Sequence, residues 1–202
     1  MLIKINRNYF WANIFFDQLA ECGVKYACIS PGSRSTPLTY ALSQNKKIKS
    51  YVIIDERTSG FFALGIAKQT NTPVVVVTTS GTAAAELYPA IIEAYQNRVP
   101  LIICTADRPA YLRNSGANQT INQDHLYINH ARFFYDTGLP IINQKKIKQL
   151  KDSTKNVFEI CANQNVGPVH INILFEKPLE PNSFTDEIEE KMMNAEEAMK
   201  VE

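Results

Sequence analysis

Four short polar segments of this 202-residue chain combine carboxylates, arginines and hydroxyl groups. They cover residues 30–35, 55–57, 79–82 and 106–109, and each follows an apolar run of the sequence. Arginine donates paired hydrogen bonds to carboxylates, and hydroxyl groups supply further donors. If the four segments meet in the folded chain, they indicate a binding site for a small anionic ligand.

Each segment taken alone also suits a structural role. Hydroxyl and carboxylate side chains cap helices, carboxylates are favoured in the first helical turn, and aspartate forms turns. The residues open to this alternative are Ser33, Ser35, Asp55, Glu56, Ser80, Thr82 and Asp107. The connection 107–122 is longer than most and brings Arg108, Arg113, Asn118 and Gln119. This connection is equally well explained as a binding loop and as a solvated loop.

The elements that must position these segments alternate between strand and helix patterns. Apolar runs predict six strands, over residues 25–29, 51–54, 74–78, 101–105, 132–136 and 169–174. Helical spacing predicts helices over 11–22, from near Pro37, and over 57–68, 83–96 and 144–161. This alternation predicts an α/β fold, an open, doubly wound parallel sheet of about six strands with helices on both faces. Ligands of such sheets bind at the carboxyl ends of the strands.

Composition and motifs exclude several classes of protein. The longest aliphatic run, 74–77, is too short to span a membrane, and the four dispersed cysteines predict reduced thiols in a cytoplasmic chain. No phosphate-loop, dinucleotide, zinc-protease or hydrolase motif occurs, and the three isolated histidines are assigned no role. Residues 176–202 carry nine acidic and three basic residues, which leaves a basic body. Without a nucleic-acid motif, that body favours small anions or is ordinary surface charge.

Five motifs occur in a recognisable order. They are SPGSRSTPLT at 30–39, DER at 55–57, TSGTA at 79–83, TADRP at 105–109 and GANQ at 116–119. In this order they resemble the 2-succinyl-5-enolpyruvyl-6-hydroxy-3-cyclohexene-1-carboxylate synthases, thiamine-diphosphate enzymes of menaquinone biosynthesis. The resemblance covers roughly residues 8–178, and its first and fourth motifs separate this family from other thiamine enzymes.

The resemblance implies that residues 1–178 form a pyrimidine-binding domain of a transferase, with active sites formed between the subunits of a homodimer or a dimer of dimers. It implies that Glu56 is catalytic and hydrogen-bonds the pyrimidine ring of the cofactor. The other implied cofactor-binding residues are Pro31, Ser80 and Gly81. The implied substrate-binding residues are Ser33, Arg34, Arg108, Asn118 and Gln119. The implied substrates, 2-oxoglutarate and isochorismate, are both dicarboxylates.

The family also holds Mg²⁺ and the cofactor diphosphate through a Gly-Asp-Gly motif, which this sequence lacks. We therefore expect no metal site on this chain, and we expect that residues 179–202 form an acidic linker or the start of a missing middle domain. The chain would then be the first domain of a longer enzyme and inactive alone. Two alternatives stay open: another thiamine-diphosphate-dependent decarboxylase or synthase, and a non-catalytic anion-binding domain.

Overall fold

The computed structural model describes residues 2–113 and 115–189, where strands and helices alternate along most of the chain. The strands are β1 (Leu2–Ile5), β2 (Tyr26–Ile29), β3 (Lys49–Val52), β4 (Val74–Thr78), β5 (Leu101–Asp107), β6 (Phe134–Asp136), β7 (Val169–Leu174) and β8 (Asp186–Glu189). The helices are α1 (Arg7–Cys22), α2 (Thr36–Gln44), α3 (Glu56–Thr70), α4 (Thr82–Glu86), α5 (Tyr88–Gln96) and α6 (Gln144–Glu159). Single 3-10 and π-helical turns cover Ala110–Leu112 and Ile160–Gln164.

Six of the strands form one sheet in the order β3-β2-β4-β5-β7-β6, and every neighbouring pair is parallel. The chain moves outward from β2 to β3 and then crosses back to β4 on the other side of β2. The strand order therefore reverses between β2 and β4, and α/β sheets bind ligands in the crevice at such a reversal.

Both faces of the sheet are covered, which confirms the predicted fold class. Alternate side chains of a strand point to opposite faces, and all five residues of β4 are buried. Val75 and Val77 contribute to a core cluster with residues of α1, α2 and α6. Val74 and Val76 contribute to a second cluster with residues of α3 and α5. Burial on both faces explains why β4 is an unbroken aliphatic run.

Several predicted boundaries differ in the structure: α1 begins at Arg7 rather than at residue 11, β5 extends to Asp107, and β6 begins at Phe134. The predicted strand 51–54 lies instead at Lys49–Val52. The Ile53 amide still donates to the Ile29 carbonyl at 2.9 Å, whereas the Ile53 carbonyl accepts from the Ser30 hydroxyl. The predicted helix 83–96 is two helices, since Pro89 has no amide hydrogen and its ring would clash with the carbonyl one turn earlier. The last predicted helix ends at Glu159, and a π-helical turn follows it.

Residues 179–189 lie against the start of the chain, in an arrangement that the sequence did not predict. Strand β8 pairs antiparallel with β1, and the guanidinium of Arg7 makes two hydrogen bonds of 2.8 Å to Asp186. Asn6 caps α1 and also donates to the carbonyl of Ser183 at 2.6 Å. The predicted linker thus begins with a segment anchored to the domain, and residues 190–202 lie outside the described residues.

Candidate active site

Two loops meet at the reversal of strand order, one after β2 and one after β4. A Cβ atom at Gly32 would lie only 2.5 Å from the Thr79 side chain, so this close approach of the loops needs glycine. Ser35 is buried, and its hydroxyl donates to the Gly32 carbonyl and accepts from the Gly32 amide. Ser35 therefore holds the turn rather than capping α2. Pro31 and Ser33 of the same turn are exposed to solvent.

Arg108 connects its own segment to the segment 79–82 and to the loop at residues 118–119. Its guanidinium donates to the Ser80 hydroxyl at 2.5 Å, to the Gln119 carbonyl at 2.9 Å and to the Asn118 carbonyl. The Asn118 and Gln119 side chains remain exposed. A Cβ atom at Gly81 would lie 2.6 Å from the Gln119 carbonyl, so residues 118–119 rest on the turn after β4. The structure brings Ser80, Gly81, Arg108, Asn118 and Gln119 together.

Arg34 lies beside this group. Its guanidinium is half-buried and donates to the Phe175 carbonyl at 2.8 Å. Burial lowers the pKa of Arg34, and the nearby charge of Arg108 lowers it further. Two neighbouring guanidinium groups repel one another, and a bound carboxylate would relieve that repulsion.

Glu56 lies at the first position of α3, directly after Asp55, which caps that helix through the Thr58 amide at 2.8 Å. The Glu56 side chain is half-buried and has no hydrogen-bond or ion-pair partner within residues 2–113 and 115–189. Ser30 connects the ends of β2 and β3 by donating to the Ile53 carbonyl at 2.9 Å. Glu56 follows β3, the strand next to β2, and among the described residues no hydrogen bond or ion pair joins it to the group around Arg108.

A buried polar network under the site was missed by the sequence analysis. Gln123 is fully buried, and its Oε1 accepts from the Gly81 amide at 2.9 Å. Its Nε2 donates to Asn172 Oδ1, which also accepts from the Thr105 hydroxyl, both at 2.9 Å. Two polar residues on one face of an apolar strand, His170 and Asn172, were the available signal for this network.

His170 lies at the end of that network and is a neutral side chain. Because the single hydroxyl proton of Thr105 goes to Asn172, His170 donates through Nε2 to Thr105 at 2.8 Å. Burial, with a smaller contribution from the nearby His125, lowers the pKa of His170 to about 3. His170 is therefore a core histidine, which agrees with its being assigned no functional role from the sequence.

The depressed pKa predicts how stability depends on pH. Below about pH 6.5 the unfolded chain takes up a proton at His170 that the folded chain does not, so the free energy of unfolding falls. The contribution of neutral His170 to the free energy of unfolding is fully present above pH 6.5. It is lost at about 1.4 kcal/mol per pH unit as the pH falls from 6.5 toward 3.

We expect His170→Gln, whose amide can still donate to Thr105, to remove this slope in urea unfolding measured between pH 6.5 and 5. His130→Gln is the control for loss of a histidine outside the network. An unchanged slope in His170→Gln would contradict the neutral, buried state.

The sequence was then compared with known proteins. Residues 11–126, more than half of the chain, match the family described as thiamine pyrophosphate enzyme, N-terminal TPP binding domain. The chain belongs to this family. The predicted resemblance to a thiamine enzyme is thereby confirmed, and the crevice at the reversal of strand order is the candidate site of a thiamine-enzyme domain.

Several curated relatives of this thiamine-enzyme domain share one name. The 2-succinyl-5-enolpyruvyl-6-hydroxy-3-cyclohexene-1-carboxylate synthase of Halobacterium salinarum is 46% identical over 183 residues, which are 91% of this chain and 31% of that protein. Proteins of the same name from Trichodesmium erythraeum and Listeria innocua are 47% and 46% identical, over 86% and 85% of this chain and 30% of each protein. The chain therefore spans about a third of the length of these relatives.

The residues of this thiamine-enzyme domain fit the pyrimidine half of the cofactor. A partly buried carboxylate without a protein partner, as at Glu56, can share a proton with a ring nitrogen. A metal site is not found in the same way: within the described ranges no group of three or more His, Cys, Asp or Glu side chains could hold a metal ion. Likewise, none of the helices in those ranges has the length and apolar composition needed to cross a bilayer.

Proposed function

We propose that this chain is the pyrimidine-binding domain, residues 1–178, of a thiamine-diphosphate-dependent synthase of menaquinone biosynthesis. The complete enzyme decarboxylates 2-oxoglutarate and adds the resulting succinyl-semialdehyde unit to isochorismate. The shared name of the relatives supports this assignment. The observation that carries it is the pair Arg34 and Arg108 beside Ser80, because both substrates are dicarboxylates.

Within this proposal the chain's own residues have separate tasks. The Glu56 carboxylate binds the pyrimidine ring and holds a proton at its ring nitrogen, and Pro31, Ser80 and Gly81 line the cofactor. Arg34 and Arg108 bind substrate carboxylates, with Ser33, Asn118 and Gln119 as further polar contacts. Bound thiamine diphosphate would supply the electron sink that decarboxylation of a 2-oxo acid requires.

A second copy of the complete protein completes the site in this proposal. Large apolar side chains around Glu56 are exposed, with Ile54 at 85% and Phe61 and Phe62 at 46% and 44%. Large exposed apolar side chains near a candidate catalytic residue are typical of a subunit interface. We infer a homodimer or a dimer of dimers, in the cytoplasm, without nucleic acid as a partner.

The proposal places the Mg²⁺ and diphosphate sites outside this chain. The sequence contains no Gly-Asp-Gly motif, and residues 179–202 would lead toward the domains that hold these groups. To hold Mg²⁺ together with the diphosphate, the protein would need to supply carboxylate or carbonyl oxygens.

The activity is tested on the complete protein that carries this domain. Incubated with thiamine diphosphate, Mg²⁺, 2-oxoglutarate and isochorismate, it should form an adduct that mass spectrometry detects, and pyruvate should not replace 2-oxoglutarate. Preference for pyruvate would indicate another thiamine-dependent enzyme instead. Dicarboxylate binding without turnover would indicate a non-catalytic anion-binding domain.

Residues 1–202 alone should bind thiamine diphosphate negligibly and show no turnover. Cofactor affinity comes largely from the metal–diphosphate contacts that the proposal assigns to other domains. Calorimetric titration in the presence and absence of Mg²⁺ measures this. Micromolar, Mg²⁺-dependent binding by the isolated chain would contradict the division of the site between domains.

A further inference from the structure

Gln123 lies under the candidate site with both ends of its amide engaged. Its Nε2 faces two acceptors, Asn172 Oδ1 at 2.9 Å and the Ala106 carbonyl at 3.3 Å. The amide therefore has one orientation, which directs Oε1 at the Gly81 amide 2.9 Å away. A buried side chain with this many directed bonds has little freedom to move.

The orientation of Gln123 is itself determined by its neighbour. Asn172 donates through Nδ2 to Asp107 at 3.0 Å, so its oxygen must face Gln123 and Thr105. Asp107 is fully buried and pairs with Arg113 at 3.2 Å. A directed series of hydrogen bonds thus runs from this ion pair through Asn172 and Gln123 to Gly81.

Gly81 is where this series reaches the candidate site. Its backbone has φ +84° and ψ −140°, a conformation that side-chain-bearing residues rarely adopt. The Gln119 carbonyl lies against it, where a Cβ atom would not fit. The turn after β4 and the loop at residues 118–119 are therefore in contact, and Gln123 holds that turn from below.

We propose that Gln123 is a positioning residue that holds the Gly81 turn and residues 118–119 as one unit. The proposed function assigns the Gly81 turn to cofactor binding and residues 118–119 to substrate binding. The inference rests on the proposed function for the identity of these two ligands. Gln123 itself touches neither ligand. It keeps the two halves of the site at a fixed separation, and small displacements of that kind are costly in catalysis.

Nuclear magnetic resonance on residues 1–202 tests the positioning directly. Gln123→Met keeps the side-chain volume and removes the hydrogen bonds, so exchange of the Gly81 amide with solvent should accelerate at least about fivefold relative to the core amide of Val76. Gln18→Met is the matched control, because Gln18 is also buried but bonds only within α1. It should leave Gly81 unchanged.

A general loss of stability would accelerate Gly81 and Val76 together, and that result would overturn the proposal. If Gln123→Met does not fold, the wild-type chain still gives an answer. A scalar coupling across the hydrogen bond should join the Gly81 nitrogen to the side-chain carbonyl of Gln123, and its absence would overturn the proposal.

In the complete protein, Gln123→Met should lower kcat/KM at least about tenfold, whereas Gln18→Met should leave it unchanged. An unchanged kcat/KM with a released Gly81 amide would overturn the positioning role. Failure of the proposed function gives a different result: the wild-type complete protein would form no adduct, while the scalar coupling between Gly81 and Gln123 would still be observed.

Discussion

Glu56→Gln should reduce turnover of the complete protein at least about a thousandfold while it changes the free energy of unfolding by less than about 1 kcal/mol. Glutamine keeps the shape of the side chain but can neither accept a proton nor carry charge. The Glu56 side chain is half-buried without a partner in the described ranges, so little of the fold depends on its carboxylate. The stability cost is limited to the favourable effect of an acidic group in the first turn of α3.

Exchange of the thiazolium C2 proton of the bound cofactor with deuterium measures the contribution of Glu56 to cofactor activation separately from substrate binding. Glu56→Gln should slow that exchange by orders of magnitude, without a comparable change in substrate saturation. Asp55→Asn is the matched control, because it removes the adjacent carboxylate while asparagine still caps the helix. If Glu56→Gln turns over within about threefold of wild type, Glu56 is only a helix-terminus residue.

The sheet could be predicted chiefly from its central strands β4 and β5, which contain long aliphatic runs. All of β4 and β5 is buried, and the run of aliphatic side chains marks both strands in the sequence. The polar segments then had to meet, since parallel strands place their carboxyl ends at one edge. The structure confirms this meeting for Arg108, Ser80 and the loop at 118–119.

Burial of single polar side chains could not be predicted in the same way. Gln123 follows Asn122 and precedes Asp124, so the local sequence is that of a solvated loop. Only the tertiary contact with Ala106 and Asn172 makes it a core residue. The pairing of β8 with β1 was missed for a related reason. Within Asp186–Ile188 the only buried apolar side chain is Ile188, so the acidic sequence shows no strand pattern.

The roles of Arg34 and Arg108 can be separated by lysine substitutions. Lysine keeps the charge but loses the planar, two-pronged donor, and one charge-assisted hydrogen bond is worth about 1.5 to 3 kcal/mol. We expect Arg34→Lys and Arg108→Lys each to raise the half-saturating substrate concentration roughly tenfold or more. Arg98→Lys, an exposed arginine before β5, is the control.

The contacts of the two arginines differ, and so should the side effects of their substitution. Arg108 donates to the carbonyls of Asn118 and Gln119, so Arg108→Lys should also speed amide exchange in residues 115–122. Arg34 donates to Phe175 instead, so Arg34→Lys should leave that loop unchanged. Neither variant should slow C2 proton exchange on the cofactor if, as we propose, both side chains bind the substrate. If they slow it as much as Glu56→Gln does, the arginines act on the cofactor or on the domain structure, and the substrate-binding role is wrong.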